Sequence, residues 1–136
     1  MKKKILHFLW AGNWGGAERF VRDIVIYSDS KRFEHHVCFC ASGGLLYDQM
    51  KAQGLNVYLG GMSSGFDFIH GVRLFHLIKT IKPDIINVHI APFIIYLIFL
   101  FFPGIKKVYF EHGKNIFSDN YSMFTKRVKR NLFFYK

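Results

Sequence analysis

The stretch KILHFLWAGNWGGAERFVRDIVIYS, residues 4–28, decides the fold. It opens on an apolar run, Lys4 to Trp10, which reads as a strand. A glycine turn follows, Gly12-Asn13-Trp14-Gly15-Gly16. Ala17 to Ser28 then carries apolar residues at 17, 20, 21, 24 and 25, the spacing of one helix face. Strand, tight glycine turn and helix make the opening unit of a parallel sheet. The start, Met1-Lys2-Lys3-Lys4 before an apolar run, also mimics a signal peptide. That reading fails because the apolar part is short and Gly12 to Glu18 contains no A-x-A site.

The same alternation continues along the chain. His36 to Ala41 is nearly all apolar, as in a strand buried on both faces. Leu45 to Gln53 reads as a short helix closed by Gly54, and Asn56 to Leu59 as a short strand. After the Gly/Ser loop Gly60 to Gly65, Asp67 is placed to cap a helix with apolar residues at 69, 72, 74, 75, 77, 78 and 81. Pro83 stops it. Asp84 to His89 reads as a strand, Pro92 to Phe102 as a helix and Lys107 to Glu111 as a fifth strand. Ser118 is placed to cap a last helix, with Tyr121, Phe124, Val128, Leu132 and Tyr135 on one face and Lys126, Arg127, Lys129 and Arg130 between them. The fold class is α/β: a Rossmann-like parallel sheet of about five strands flanked by helices.

Composition narrows the function classes. The chain has 136 residues, room for one domain, and at 51% hydrophobic and 21% charged it is not disordered. Two cysteines exclude a disulfide framework. Cys38 and Cys40 share one face of a strand, with no second Cys/His pair at metal spacing, so buried thiols in a reducing cytosol are expected and no metal site. Ile90 to Phe102 runs thirteen residues without a charge, short of the ~20 that span a membrane, and reads as a buried helix. The net charge is +10, with eight basic and two acidic residues in 104–136. That favours anionic partners such as phosphates or acidic lipid. Nucleic acid is not expected, because the aromatics follow strand and helix patterns and build no stacking platform.

Ligands of open α/β sheets bind beyond the carboxyl ends of the strands. After the first strand stands Gly12-Asn13-Trp14-Gly15-Gly16-Ala17-Glu18-Arg19. A helix start behind glycines suits phosphate. The spacing is not G-x-G-x-x-G, and no Gly-Lys-Ser/Thr follows, so neither a dinucleotide fingerprint nor a Walker A loop is present. The fourth strand ends in Asn87-Val88-His89 and the fifth in Glu111-His112-Gly113. Two imidazoles at one sheet edge can bond sugar hydroxyls or phosphate. Glu111 is placed to orient His112 or to cap the loop.

Three of these segments together resemble a known family. ILHFLWAGNWGGAERFVRDIV resembles the opening of glycosyltransferase family 4 enzymes, whose first loop reads G-G-A/S-E-R/K. KPDIINVH resembles their K-P-D-I-I-H-x-H strand, with Asn87 in place of the first histidine. VYFEHGKN resembles their E-H-G segment. The resemblance covers roughly residues 4–136.

The resemblance implies the N-terminal half of a GT-B fold, two Rossmann-like domains facing across a cleft. Such enzymes transfer a sugar from a nucleotide sugar to an acceptor with retention, without a cofactor and usually without a metal. Gly15 and Gly16 would approach the donor diphosphate. His112 would reach the transferred sugar as the catalytic residue, with His89, Glu111 and Gly113 lining the substrate site. The expectation is a single acceptor-side domain over residues 1–136, incomplete at its C-terminal end and lacking the donor domain. It would act on a glycan or lipid-linked acceptor, only with a complementary C-terminal domain, and be inactive alone. A cytoplasmic location is expected, peripheral on the inner membrane face if the basic helix meets anionic lipid. The open sheet edge predicts self-association. The alternative is a non-catalytic module whose basic C-terminal helix binds a membrane or a partner protein.

Overall fold

The computed structural model describes residues 1–110. Its strands are β1 (Lys3–Ala11), β2 (Phe33–Ser42), β3 (Asn56–Leu59), β4 (Ile85–Val88) and β5 (Lys106–Tyr109). Between them lie α1 (Gly16–Tyr27), α2 (Leu45–Ala52), α3 (Phe68–Ile81) and α4 (Phe93–Ile98), the last continued by a 3₁₀ turn, Phe99–Phe101. The sheet order is β3-β2-β1-β4-β5, and every pairing is parallel. The α/β class, the Rossmann-like sheet and its five strands are as the sequence predicts.

Alternation along the strands divides the core into two layers. Leu9, Val37 and Phe39 pack with Ala17 and Val21 of α1 and with Leu46 and Met50 of α2. Leu6, Phe8, Cys38 and Ile86 face the other way, onto Leu74 and Ile78 of α3 and Ile94 and Ile95 of α4. Cys38 and Cys40 are buried free thiols in this second layer. The hydrogen bond with Cys38, and then burial, push the Cys40 thiol up, so it stays protonated. Each fully buried Leu, Ile or Phe contributes ~1.5–3 kcal/mol relative to exposure. Within the second layer the two helices meet closely at one point. A Cβ on Gly71 of α3 would lie 2.9 Å from Ile94 of α4.

The chain runs outward from β1 through β2 to β3, crosses back by α3, and continues outward from β4 to β5. The direction therefore reverses between β1 and β4, the kind of point beyond whose carboxyl ends open α/β sheets bind their ligands. The local differences from the sequence reading have physical causes. β2 starts three residues before His36 because Lys3, Lys4 and Ile5 of β1 pair with Phe33, Glu34 and His35. The predicted helix Pro92–Phe102 tightens to 3₁₀ geometry after Ile98, since Pro103 keeps Phe102 out of the helical region, at φ −129° and ψ 59°. The predicted helix starting at Ser118 and the position of Glu111 lie outside the described residues.

Candidate functional site

The β1–α1 loop and the β2–α2 loop are locked backbone to backbone. Gly12 donates its N–H to the Ser42 carbonyl at 2.9 Å, and its own carbonyl accepts from Leu46 N–H at 3.0 Å. A Cβ on Gly44 would lie 2.7 Å from the Gly12 oxygen, so only glycine fits this approach. Gly15 is the N-cap residue of α1, in an extended conformation. A Cβ there would run into the Glu18 carboxylate. Glu18 lies in the first turn of α1, where the helix dipole favours it. Gly16 is different: a Cβ on it meets no described atom within 4 Å. Of the two glycines singled out in the sequence, Gly16 borders open space among the described residues and Gly15 lies beside a carboxylate.

Trp14, in the same loop, gathers positive charge. The Arg19 and Arg22 guanidinium carbons lie 4.9 and 5.3 Å from its ring centre. Arg22 is also paired with Asp23 at 2.6 Å. The arginines are visible in the sequence, but their convergence on Trp14 depends on the loop conformation.

His89 stands immediately after β4, beside the end of β1, with its N–H donated to the Phe8 carbonyl at 3.1 Å. The structure therefore places it at the reversal point between β1 and β4. It is 4% exposed, so it forms the floor of this edge and not its rim. Phe110 stacks on its ring at 4.6 Å, and Phe20 of α1 approaches edge-on at 6.1 Å. Phe110 is held there by its own N–H, donated to Val88 at 2.9 Å. Glu111, His112 and Gly113 follow it in the sequence and lie outside the described residues.

A buried chain of imidazoles reaches His89 from behind, and the sequence reading missed it. His7 Nδ1 lies 3.3 Å from His89 Nε2, and His7 Nε2 lies 2.9 Å from His35 Nδ1. His35 Nε2 continues to Ser28 Oγ at 2.8 Å. Asn87 Nδ2 stands 3.5 Å from His7 Nδ1. Burial pushes His7 down to about 3, and the facing His89 and His35 add to the effect. Burial, then His36, lowers His35 as well. His7 is therefore neutral at physiological pH. Among the described residues, no group of three or more His, Cys, Asp and Glu is placed to hold a metal ion. No helix among them is long and apolar enough to cross a membrane.

The sequence model of Glycosyltransferase Family 4 matches residues 14–135. Among solved structures, the chain is similar to UDP-GlcNAc 2-epimerase from Neisseria meningitidis, crystallised bound to UDP-GlcNAc. The TM-score is 0.58 at 18% identity, over 95% of this chain and 38% of that one. A second UDP-N-acetylglucosamine 2-epimerase gives 0.58 at 19%, over 97% of this chain and 39% of that one. At such identities the likeness is one of fold. The chain spans under two-fifths of the length of either. No curated protein matches it.

Proposed function

Because the chain belongs to Glycosyltransferase Family 4, we propose that it is the acceptor-side domain of a retaining glycosyltransferase. In this reading it works with a complementary donor-binding domain and is inactive alone. The sugar passes from a nucleotide sugar to a glycan or lipid-linked acceptor. The observation that carries the reading is the space that the described residues leave open over Gly16, at the start of α1 and beside the β1/β4 reversal. Backbone N–H groups at a helix start suit a diphosphate. Gly15 and Gly16 take the diphosphate, His112 serves the transferred sugar as the catalytic residue, and His89, Glu111 and Gly113 complete the site. Glu18 is the counterweight, because its carboxylate competes for the same helix end. Diphosphate binding therefore requires Glu18 to turn away or Arg19 to offset it.

Two of the similar solved structures are UDP-GlcNAc 2-epimerases, which makes UDP-sugars the first donors to test. The experiment joins the chain to a family donor domain and measures nucleotide-sugar turnover. Gly16→Val and His112→Ala should each reduce turnover by at least ~10-fold, a loss of ~1.4 kcal/mol or more. Full turnover by both variants would overturn the assignment.

A second reading is favoured by the exposed apolar start of α3, where Phe68, Ile69 and Val72 are 62%, 81% and 56% exposed. With the +10 charge, it is a cytoplasmic domain held peripherally on anionic membrane. Salt-sensitive co-sedimentation with anionic vesicles supports it; no binding at low salt rejects it.

A further inference from the structure

In a parallel sheet all strands start at one edge, and here that amino edge gathers lysines. β1 opens with Lys3 and Lys4 and β5 with Lys106 and Lys107. α3 ends there too, with Lys79 in its last turn and Lys82 at its cap. Hydrogen bonds draw these groups into one corner. Asp84, just before β4, accepts from the Lys4 N–H at 2.9 Å and from Lys3 Nζ at 3.3 Å. Its carbonyl accepts from the Lys106 N–H at 3.3 Å. Lys4 Nζ donates to the Ile81 carbonyl at 3.4 Å, and Lys107 Nζ to the Phe102 carbonyl. Glu34, opposite Lys4 on β2, is engaged by His36 at 2.9 Å. Before β2, Lys31 and Arg32 outnumber Asp29.

The carboxyl edge is different. Glu18, Asp48 and Asp67 stand at the starts of α1, α2 and α3, where the helix dipoles favour them. Dipoles also favour lysines at the end of α3. They do not account for the four that open β1 and β5, because sheets have small net dipoles. Apolar side chains project from the same lysine-rich corner. α4 and its 3₁₀ turn lead down to β5, and Leu100 and Phe101 at their end are 57% and 71% exposed. Phe101 is braced edge-on against Phe75 of α3 at 5.8 Å, one turn before Lys79. A soluble polyanion would use the lysines and leave Leu100 and Phe101 in water. An anionic bilayer uses both: headgroups meet the lysines, and the acyl boundary takes the apolar tips.

We propose that the amino edge of the sheet, at the corner of β1, α3 and β5, is a docking surface for an anionic lipid bilayer, with Lys79 and Lys106 at the headgroups and Leu100 and Phe101 entering the acyl boundary. The proposal rests on the peripheral reading above for the class of partner. It goes beyond that reading by moving the contact from the start of α3, capped by Asp67, to the opposite edge. The carboxyl edge then faces water, about 30 Å away across the nine residues of β1. If sugar transfer takes place at that edge, the reacting part of the acceptor stands clear of the bilayer. Only this last step rests on the glycosyltransferase reading.

The test uses the full chain with vesicles of phosphatidylcholine alone or mixed with phosphatidylserine. Binding should need phosphatidylserine and weaken as salt rises. Lys79 and Lys106 are exposed and make no ion pair among the described residues. Changing both, Lys79→Gln with Lys106→Gln, should weaken binding at least ~10-fold at low salt. A polarity-sensitive dye reports the face directly, because Cys38 and Cys40 are buried and leave an introduced thiol to be labelled alone. On Leu100→Cys the dye should shift to the blue with phosphatidylserine vesicles. On Ile69→Cys, at the start of α3, it should stay near its value in water. Both positions are exposed, so neither label disturbs the core. Undiminished binding by the folded double lysine variant overturns the proposal. So does a blue shift at position 69 without one at position 100, which leaves the peripheral reading standing. Absence of vesicle binding at low salt overturns both, including where the chain is retained on RNA instead. A chain that docks as described but transfers no sugar rejects the glycosyltransferase reading and leaves the docking surface in place.

Discussion

Gly44 and Gly16 border the same sheet edge, and their surroundings make opposite demands. A Cβ on Gly44 would lie 2.5 Å from Asn13 Oδ1 and 2.7 Å from a backbone oxygen that cannot move aside cheaply. Gly44→Ala should cost ~1–3 kcal/mol, as overpacking does. Gly16→Ala has open space and should change stability by less than ~1 kcal/mol. Urea midpoints of the two variants check this; equal losses would contradict the geometry. His7 gives a second prediction. Its pKa is about 3 when folded and 6.5 in the unfolded chain, so the unfolded state binds the extra proton. Stability is then full above pH 6.5 and is lost progressively as pH falls toward 3, by up to ~1.4 kcal/mol per unit. Thermal midpoints between pH 6.5 and 4.5 should fall less steeply in His7→Asn. The same residue shows where sequence reading stops. Alternation puts His7, His35, Asn87 and His89 on one strand face each, but their meeting depends on inter-strand register. In a parallel sheet that register is set by the helical crossovers, which no single strand reveals.

At the scale of elements, local chemistry was legible wherever it is self-contained. Asn56–Leu59 forms as read, and Asp67 caps α3, accepting from His70 N–H at 3.1 Å. What the sequence did not disclose is how much else Asp67 holds. It also accepts from the Ser63 N–H and hydroxyl, both at 3.0 Å, and from His70 Nδ1 at 2.8 Å. The Ser63 and then His70 backbone N–H groups hold its carboxyl well below the usual range. Its native-state advantage is therefore complete above the unfolded pKa of ~3.9 and is lost as pH falls through the lower folded value. Asp67→Ala should lower the thermal midpoint at pH 7, and the gap to the unaltered chain should begin to narrow below about pH 4 and shrink further as the pH falls. A gap that persists unchanged at pH 2.5 would mean that packing, not the charged cap, is lost. The start of β2 and the 3₁₀ end of α4 were not legible in the same way. The first depends on pairing with β1, and the second on how Pro103 constrains an otherwise uniform apolar run.

For the whole molecule, sheet order sets a gradient of stability across the site. β1 lies at the centre, with Ile5 to Leu9 buried and neighbours bonded on both sides. β2 is buried from His36 to Cys40. β3 and β5 each have four residues, none of them buried, and among the described residues they form the two edges. Opening an edge strand exposes little apolar surface, whereas opening β1 dismantles both core layers. Native-state hydrogen exchange should therefore rank the amides. Those of Leu6 to Leu9 and Val37 to Phe39 should exchange only by global unfolding, and those of β3 and β5 by smaller local openings. The consequence for the site is an asymmetry. His7 and the glycine loop hang from the most stable strand, while Phe110, which covers His89, follows the less stable β5. Exchange in β5 as slow as in β1 would make the floor and its cover one rigid unit. Faster exchange in β5, as expected, lets Phe110 lift from His89 without disturbing the imidazole chain beneath.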